Sequence, residues 1–182
     1  MTRLKHAALA VLMSCGLGLP VLAQSATSAA TPASPPCQGE AFAQFDFWLG
    51  TWDVHDLTGK QVGENVIEKK QGGCLLTETW QSAGGSTGES YNFYDPVSEK
   101  WRQVWVSPGS IIDLTGGLTD TGSMKLEGTI TYTGNGSRFP FKGEWTPKDD
   151  GTVTQNFQQY DPEADEWKGW FTGIYSRKSI KL

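Results

Sequence analysis

The stretch Phe-Asp-Phe-Trp-Leu-Gly-Thr-Trp-Asp-Val, residues 45–54, decides the fold predicted for this chain. Its first half is dominated by large apolar side chains, and Gly50 follows them directly. A glycine has no Cβ and therefore permits a sharp turn. After it the residues alternate, so that Trp52 and Val54 share one face of a strand. We interpret the stretch as a short helical turn that plugs one end of a β-barrel, followed by the first strand.

The rest of the chain consists of short alternating segments that end in turn residues. Residues 124–132 carry the clearest alternation, and the Gly-Asn-Gly sequence at 134–136 is typical of a hairpin turn. The 182 residues include 22 glycines and eight tryptophans, which also favours an all-β fold. Because about ten strands follow one another without a long connection, the sequence predicts an all-β, antiparallel up-and-down barrel with a short N-terminal helical plug.

The N-terminus has the features of a secretory signal peptide. Arg3 and Lys5 precede an uncharged apolar run, 7–22, and small residues near Ala23 suit cleavage after that residue. The run is short for a membrane span and is interrupted by glycine and proline. A lipoprotein anchored through Cys15 is the alternative. We therefore expect a periplasmic or extracellular protein.

Domain boundaries follow from these assignments. Residues 1–23 are the predicted signal peptide. Residues 24–36 consist mainly of Ser, Ala, Thr and Pro, a composition that cannot bury enough apolar surface to become ordered, so we expect a disordered tether. Residues 37–182 have an ordinary length for one barrel domain.

Two cysteines remain once the signal peptide is removed. Cys37 and Cys74 are an even pair in a compartment that permits disulfides, so the sequence predicts a bond between them, with two free thiols as the alternative. Two cysteines do not make a zinc site without further ligands, and His55 is the only histidine of the mature chain. No metal and no cofactor is implied.

The charge of the chain disfavours two classes of partner. The formal net charge is −5, with 20 acidic against 15 basic residues, and the basic residues form no cluster. Nucleic acid and anionic membrane are therefore poor candidates, and no segment after residue 22 predicts a membrane span. A small apolar or amphipathic ligand is the partner that remains possible, and the sequence does not determine the oligomeric state.

Several predicted strands mix polar side chains with aromatic ones on a single face. Glu78 shares a face with Trp80, and Gln103 lies between two tryptophans. Two such faces are too apolar to be exposed together, so we expect them to point inward. A buried carboxylate must be paired, hydrogen-bonded or neutral. Arg102, Arg138 and Lys142 are possible partners for Glu78. The candidate pocket residues are Glu78, Trp80, Tyr91, Trp101, Gln103, Trp105 and Trp145.

A wider set of motifs resembles a known family. Gly50 and Trp52 match the Gly-x-Trp that opens lipocalin and fatty-acid-binding (calycin) barrels, and Trp48 completes this structural signature. Together with Gly73-Cys74, Glu78-Thr79-Trp80, residues 92–95, 100–103 and 144–147, they resemble a family of secreted bacterial lipocalin-like proteins of uncharacterised function. The resemblance implies a calycin-type barrel and no established activity. Nitrobindins are related barrels that hold haem through a late histidine, which this chain lacks.

Three hypotheses for function follow. The first is a non-enzymatic protein that holds a small, partly apolar ligand inside the barrel. The second is a metal-independent enzyme with Glu78 as general acid or base, because a carboxylate in an apolar setting can do such work. The third is a structural or interaction module with a filled core. A ligand-sized cavity would favour the first two over the third.

Overall fold

The computed structural model describes residues 36–178, and this part of the chain is the all-β barrel that the sequence predicts. Ten antiparallel strands follow one another in sequence order, and β1 closes the barrel against β10. The strands are β1 (Gly50–His55), β2 (Gln61–Lys70), β3 (Leu75–Ser82), β4 (Thr87–Asp95), β5 (Lys100–Val106), β6 (Ser110–Leu118), β7 (Met124–Tyr132), β8 (Arg138–Pro147), β9 (Val153–Asp161) and β10 (Glu166–Arg177).

The helical content of residues 36–178 is three short 3₁₀ turns. Glu40–Ala43 and Asp46–Trp48 precede β1 and form the predicted plug, and Gln71–Gly73 connects β2 to β3. Within these bounds no helix has the length and hydropathy needed to cross a bilayer. The predicted signal peptide lies outside the described residues, as does the predicted tether except for Pro36.

Gly50 makes the turn from the plug into β1. Its φ of 132° lies in the region that favours glycine, and a Cβ there would overlap the guanidinium group of Arg177. The Arg177 guanidinium, on β10, donates to the carbonyl oxygen of Leu49. It also lies 3.9 Å from the ring centre of Trp52, the residue of β1 with which Arg177 is paired. The plug, β1 and β10 are thereby joined at one corner.

Aromatic packing fills the plugged end of the barrel. Phe45 and Trp48 are both fully buried and stack with their ring centres 5.0 Å apart. Phe45 meets the rings of Trp101 and Trp145 edge to face at 5.6 and 5.3 Å. Trp52 is also fully buried, and its indole nitrogen donates to the carbonyl oxygen of Trp48 at 2.9 Å. This end of the barrel therefore has a packed core and not a cavity.

The two cysteines of the described chain are bonded to each other, as predicted. The Cα atoms of Cys37 and Cys74 are 5.0 Å apart, within the range of protein disulfides, and the residues are separated by 37 positions. Cys74 directly precedes β3, while Cys37 precedes the plug. The bond thus fixes the start of the plug segment to the barrel wall.

Candidate functional site

The end of the barrel opposite the plug is hollow. It contains a cavity of about 300 Å³ whose lining reaches from Tyr175, beside the plug, to Ser86 in the turn between β3 and β4. Tyr175 marks the bottom of the cavity, because its ring packs on those of the plug residue Trp48 and of Trp52. The ring centres are 6.2 and 6.1 Å apart, respectively. Ser86 is exposed and marks the mouth.

The bottom of the cavity is polar. A continuous hydrogen-bonded chain of seven inward-facing side chains links six strands, and each side chain is at most 4% exposed. It runs from β5 through β4 and β3 to β2, passes over β1 without a side chain from that strand, and continues through β10 to β9. We call it the polar belt. Four of its members also line the cavity: Glu78, Gln103, Gln155 and Tyr175. In order along the chain of hydrogen bonds, the polar belt consists of Gln103, Asn92, Ser90, Glu78, Asn65, Tyr175 and Gln155.

Glu78 is the acceptor at the centre of the polar belt. Ser90 Oγ donates to Glu78 Oε2 at 2.6 Å, and Asn65 Nδ2 donates to Glu78 Oε1 at 2.7 Å. An ionised carboxylate has about four acceptor sites, so these two bonds leave capacity on the side of the cavity. Asn65 Nδ2 also donates to Tyr175 at 3.3 Å, and the Tyr175 hydroxyl donates to Gln155 at 2.5 Å.

No basic side chain reaches Glu78 in the described part of the chain. Of the three candidates from the sequence, Arg102 pairs with Asp113 on the outside of the barrel, Arg138 donates to Thr131, and Lys142 lies over Trp167. Burial therefore raises the pKa of the Glu78 carboxyl from 4.5 to about 7, and the bonds from Ser90 and Asn65 oppose this only in part. Glu78 changes its charge near neutral pH.

Aromatic rings form the wall above the polar belt, and four of them lie against glycines. A Cβ added to Gly63 would overlap the Trp80 ring, and a Cβ added to Gly88 would overlap the Trp105 ring. The same relationship joins two further pairs on β8, β9 and β10. Those pairs are Gly143 with Phe157 and Gly173 with Phe171. Because glycine has no side chain, these rings can lie close to the barrel wall, which leaves the interior open.

A β-bulge adds a fifth ring to the wall. The pairing of β10 with β9 shifts between Gly169 and Phe171, which leaves Trp170 as the extra residue. Trp170 and Phe171 therefore both line the cavity although they are adjacent in sequence. The Trp170 indole nitrogen donates to the Tyr132 hydroxyl at 3.1 Å, and its side chain remains 44% exposed near the mouth.

The structure brings together four of the residues that the sequence assigned to a pocket. Glu78, Trp80, Gln103 and Trp105 all line the cavity. Trp101 and Trp145 also point inward, but they belong to the packed core around the plug and do not line the cavity. Their assignment to a pocket is wrong because the plug fills that end of the barrel.

Tyr91 lies on the outside of the barrel, where its side chain is 47% exposed. The inward face of β4 carries Gly88, Ser90 and Asn92 instead. The prediction for Tyr91 assumed that the aromatic face of this strand is the buried one. On β4 the buried face is the small and polar one, because it supplies part of the polar belt and the glycine against which Trp105 packs.

Sequence reasoning missed most of the polar belt. Asn65, Ser90 and Asn92 lie on alternating positions of β2 and β4, but nothing in their own sequence distinguishes them from polar surface residues. Gln155 is buried on β9, although the residue that follows it, Asn156, is also polar and is exposed. One signal was available: glycines within strands, such as Gly63 and Gly88, indicate that another group approaches closely.

No protein-family model matches this chain, and a search among curated proteins returns no match.

Proposed function

We propose that this protein is a secreted or periplasmic carrier that holds a small, partly apolar molecule inside the barrel. The observation that carries the proposal is the cavity of about 300 Å³, which has an aromatic wall and a polar bottom. This volume lies at the lower end of the range of small-molecule sites, and apolar walls with a few polar groups are their usual composition. The Cys37–Cys74 bond supports an oxidising compartment.

The barrel topology also supports the lipocalin-like family that the sequence motifs resemble. The ten strands form a closed meander, and the Gly-x-Trp of the opening motif stands at the start of β1. A barrel of this kind encloses either packed side chains or one small ligand. Here packed side chains fill the plugged end, and the cavity at the opposite end has room for a small ligand. Membership of that family remains part of the proposal.

The test is native mass spectrometry of the protein recovered from the cells that export it. We expect an additional mass of a few hundred daltons or less that disappears on denaturation, a bound that follows from the size of the cavity. The matched variants are Gly88→Ala, which drives the Trp105 ring into the cavity, and Gly117→Ala, whose new Cβ has no neighbour within 4 Å. Gly117→Ala should retain the ligand and Gly88→Ala should lose it. Retention of the same mass by Gly88→Ala would place the ligand elsewhere.

The second candidate function is acid–base catalysis by Glu78, favoured by the pKa of about 7 of its carboxyl at the edge of the cavity. Ser90 is within hydrogen-bond reach of Glu78, but it lies behind the cavity lining and is fully buried. The same experiment separates the two candidates. A carrier binds one and the same molecule in the parent and, in a reduced amount, in Glu78→Gln, whereas an enzyme would leave its substrate on the variant and its product on the parent.

A further inference from the structure

Within the described residues, 36–178, the lining of the cavity carries one carboxylic acid and no basic side chain. Glu78 is the only Asp or Glu in that lining, and none of the lining residues is Lys, Arg or His. Tyr175 is the other titratable side chain there, and burial followed by the charge of Glu78 raises its pKa well above 10, so it stays neutral. The remaining groups that face Glu78, Asn65 on β2 and Ser90 on β4, do not ionise. A ligand in the cavity therefore meets either a neutral acid or an anion, and never a protein cation.

The aromatic rings of the cavity wall also favour a positively charged ligand. Trp80 and Phe171 pack edge to face with their ring centres 6.3 Å apart, and the wall also contains the rings of Trp105, Phe157 and Trp170. The faces of such rings are electron-rich and attract cations, an effect that strengthens where water is excluded. The carboxylate and the rings thus favour positive charge at the same site.

We propose that the bound molecule is a small organic amine in its ammonium form, with the nitrogen on the Glu78 carboxylate and its apolar part among the rings of Trp80, Trp105, Phe157 and Phe171. This inference rests on the proposed binding function and specifies its ligand. An ammonium group donates the hydrogen bonds that Glu78 can still accept. A carboxylate ligand, such as a fatty acid, would instead bring a second negative charge to a site that has no cation.

The test uses three probes of nearly equal shape: 4-phenylbutylamine, 4-phenylbutanol and 4-phenylbutyrate. Their affinities for the exported, disulfide-bonded protein are measured by isothermal titration calorimetry at pH 8.5, where Glu78 is ionised and the amine is charged. We expect the amine to bind at least about tenfold tighter than the alcohol, since charge-assisted hydrogen bonds are about twice as strong as neutral ones. The acid should bind more weakly than the alcohol.

Two matched variants assign the preference to Glu78. Glu78→Gln should reduce the advantage of the amine over the alcohol to less than about threefold while alcohol binding persists. Glu89→Gln makes the same change on the exposed face of β4 and should behave as the parent. An amine preference that survives in Glu78→Gln would overturn the inference.

The pH dependence gives a measurement that needs no variant. Because an ammonium ion requires Glu78 to be ionised, amine affinity should fall more than about tenfold between pH 8.5 and pH 5.5. Alcohol affinity should change less than about threefold. If alcohol and amine bind equally at pH 8.5, the amine inference is wrong and the binding function stands. If none of the probes binds, the inference is also wrong, and the retained mass in native mass spectrometry decides the binding function separately.

Discussion

The indole ring of Trp105 on β5 lies against Gly88 on β4, so closely that a Cβ on Gly88 would overlap three atoms of the ring. Trp105 pairs directly with Ser90, the next inward-facing residue of β4, so that its ring extends diagonally across the strand to Gly88. The contact keeps a large side chain against the wall of the barrel. The volume of the cavity thus depends on a residue that has no side chain.

The loss of stability caused by a methyl group at Gly88 should depend on whether the neighbouring atoms can move away from it. In Gly88→Ala the obstacle is a side chain with open space behind it, so we expect a loss of about 1–2 kcal/mol in the free energy of unfolding. In Gly116→Ala on β6 the new Cβ would overlap the backbone of Lys125 on β7, which has no such space. That variant should lose more than about 3 kcal/mol. Denaturant unfolding of the two variants measures the difference, and equal losses would contradict this account of the cavity.

Trp52 should be among the largest single contributors to stability. Its side chain is fully buried between the plug and β10, where it donates to Trp48 and packs edge to face on Tyr175. Trp52→Ala should lower the free energy of unfolding by about 3–5 kcal/mol. Trp167→Ala is the matched control, because that indole is 38% exposed and packs on Tyr160 alone among the aromatic rings; we expect a loss of about 1 kcal/mol. Similar unfolding midpoints for parent and Trp52→Ala would refute the role of the plug.

The sequence was sufficient to predict the strands, the plug and the inward direction of Glu78, because alternation fixes which residues share a face once one buried aromatic residue is placed. It was not sufficient to separate the filled end of the barrel from the hollow one. Trp101 and Trp105 share a face of β5, yet one packs on Phe45 and the other lines the cavity. That difference depends on how far the plug enters the barrel, which is a property of the tertiary structure.

Alternation also predicts the wrong inward face where a strand buries its small or polar side chains. The sequence suggested Tyr91 as an inward residue of β4, whereas the inward residues are those that bond to Glu78 or lie under Trp105. Burial of a residue such as Ser90 is favourable only because Glu78 accepts its hydrogen bond from the adjacent strand. A single strand gives no sign of such a partner.

The disulfide should contribute a large part of the stability of the exported protein. Cys37 and Cys74 are separated by 37 positions, and closing a loop of that length stabilises by roughly 4 kcal/mol on the chain-entropy account. We expect a loss of that size in the Cys37→Ser, Cys74→Ser double variant. A thiol reductant should lower the stability of the parent by the same amount and leave the double variant unchanged. Two alkylatable thiols in the unreduced exported protein would show that the bond does not form there.

Glu78 should make the stability of the barrel depend on pH in the direction opposite to that of a salt-bridged carboxylate. Its pKa is about 7 in the folded protein against 4.5 in the unfolded chain, because burial disfavours the anion. Below pH 4.5 the carboxyl is neutral in both states, and its contribution to stability is fully present. Between pH 4.5 and 7 the folded protein holds a proton that the unfolded chain has released, so stability falls as the pH rises.

The measurement compares the parent with Glu78→Gln by denaturant unfolding between pH 4.5 and pH 7.5. Glutamine does not titrate, so the stability of the variant relative to the parent should increase by about 3 kcal/mol across this interval. Groups that titrate elsewhere in the chain are common to both proteins and cancel in the difference. Glu89→Gln, on the outer face of β4, should follow the parent across the same interval. If the difference in the free energy of unfolding between Glu78→Gln and the parent stays constant with pH, the buried carboxyl titrates as an ordinary glutamate. The pH dependence expected for amine binding would then be lost as well.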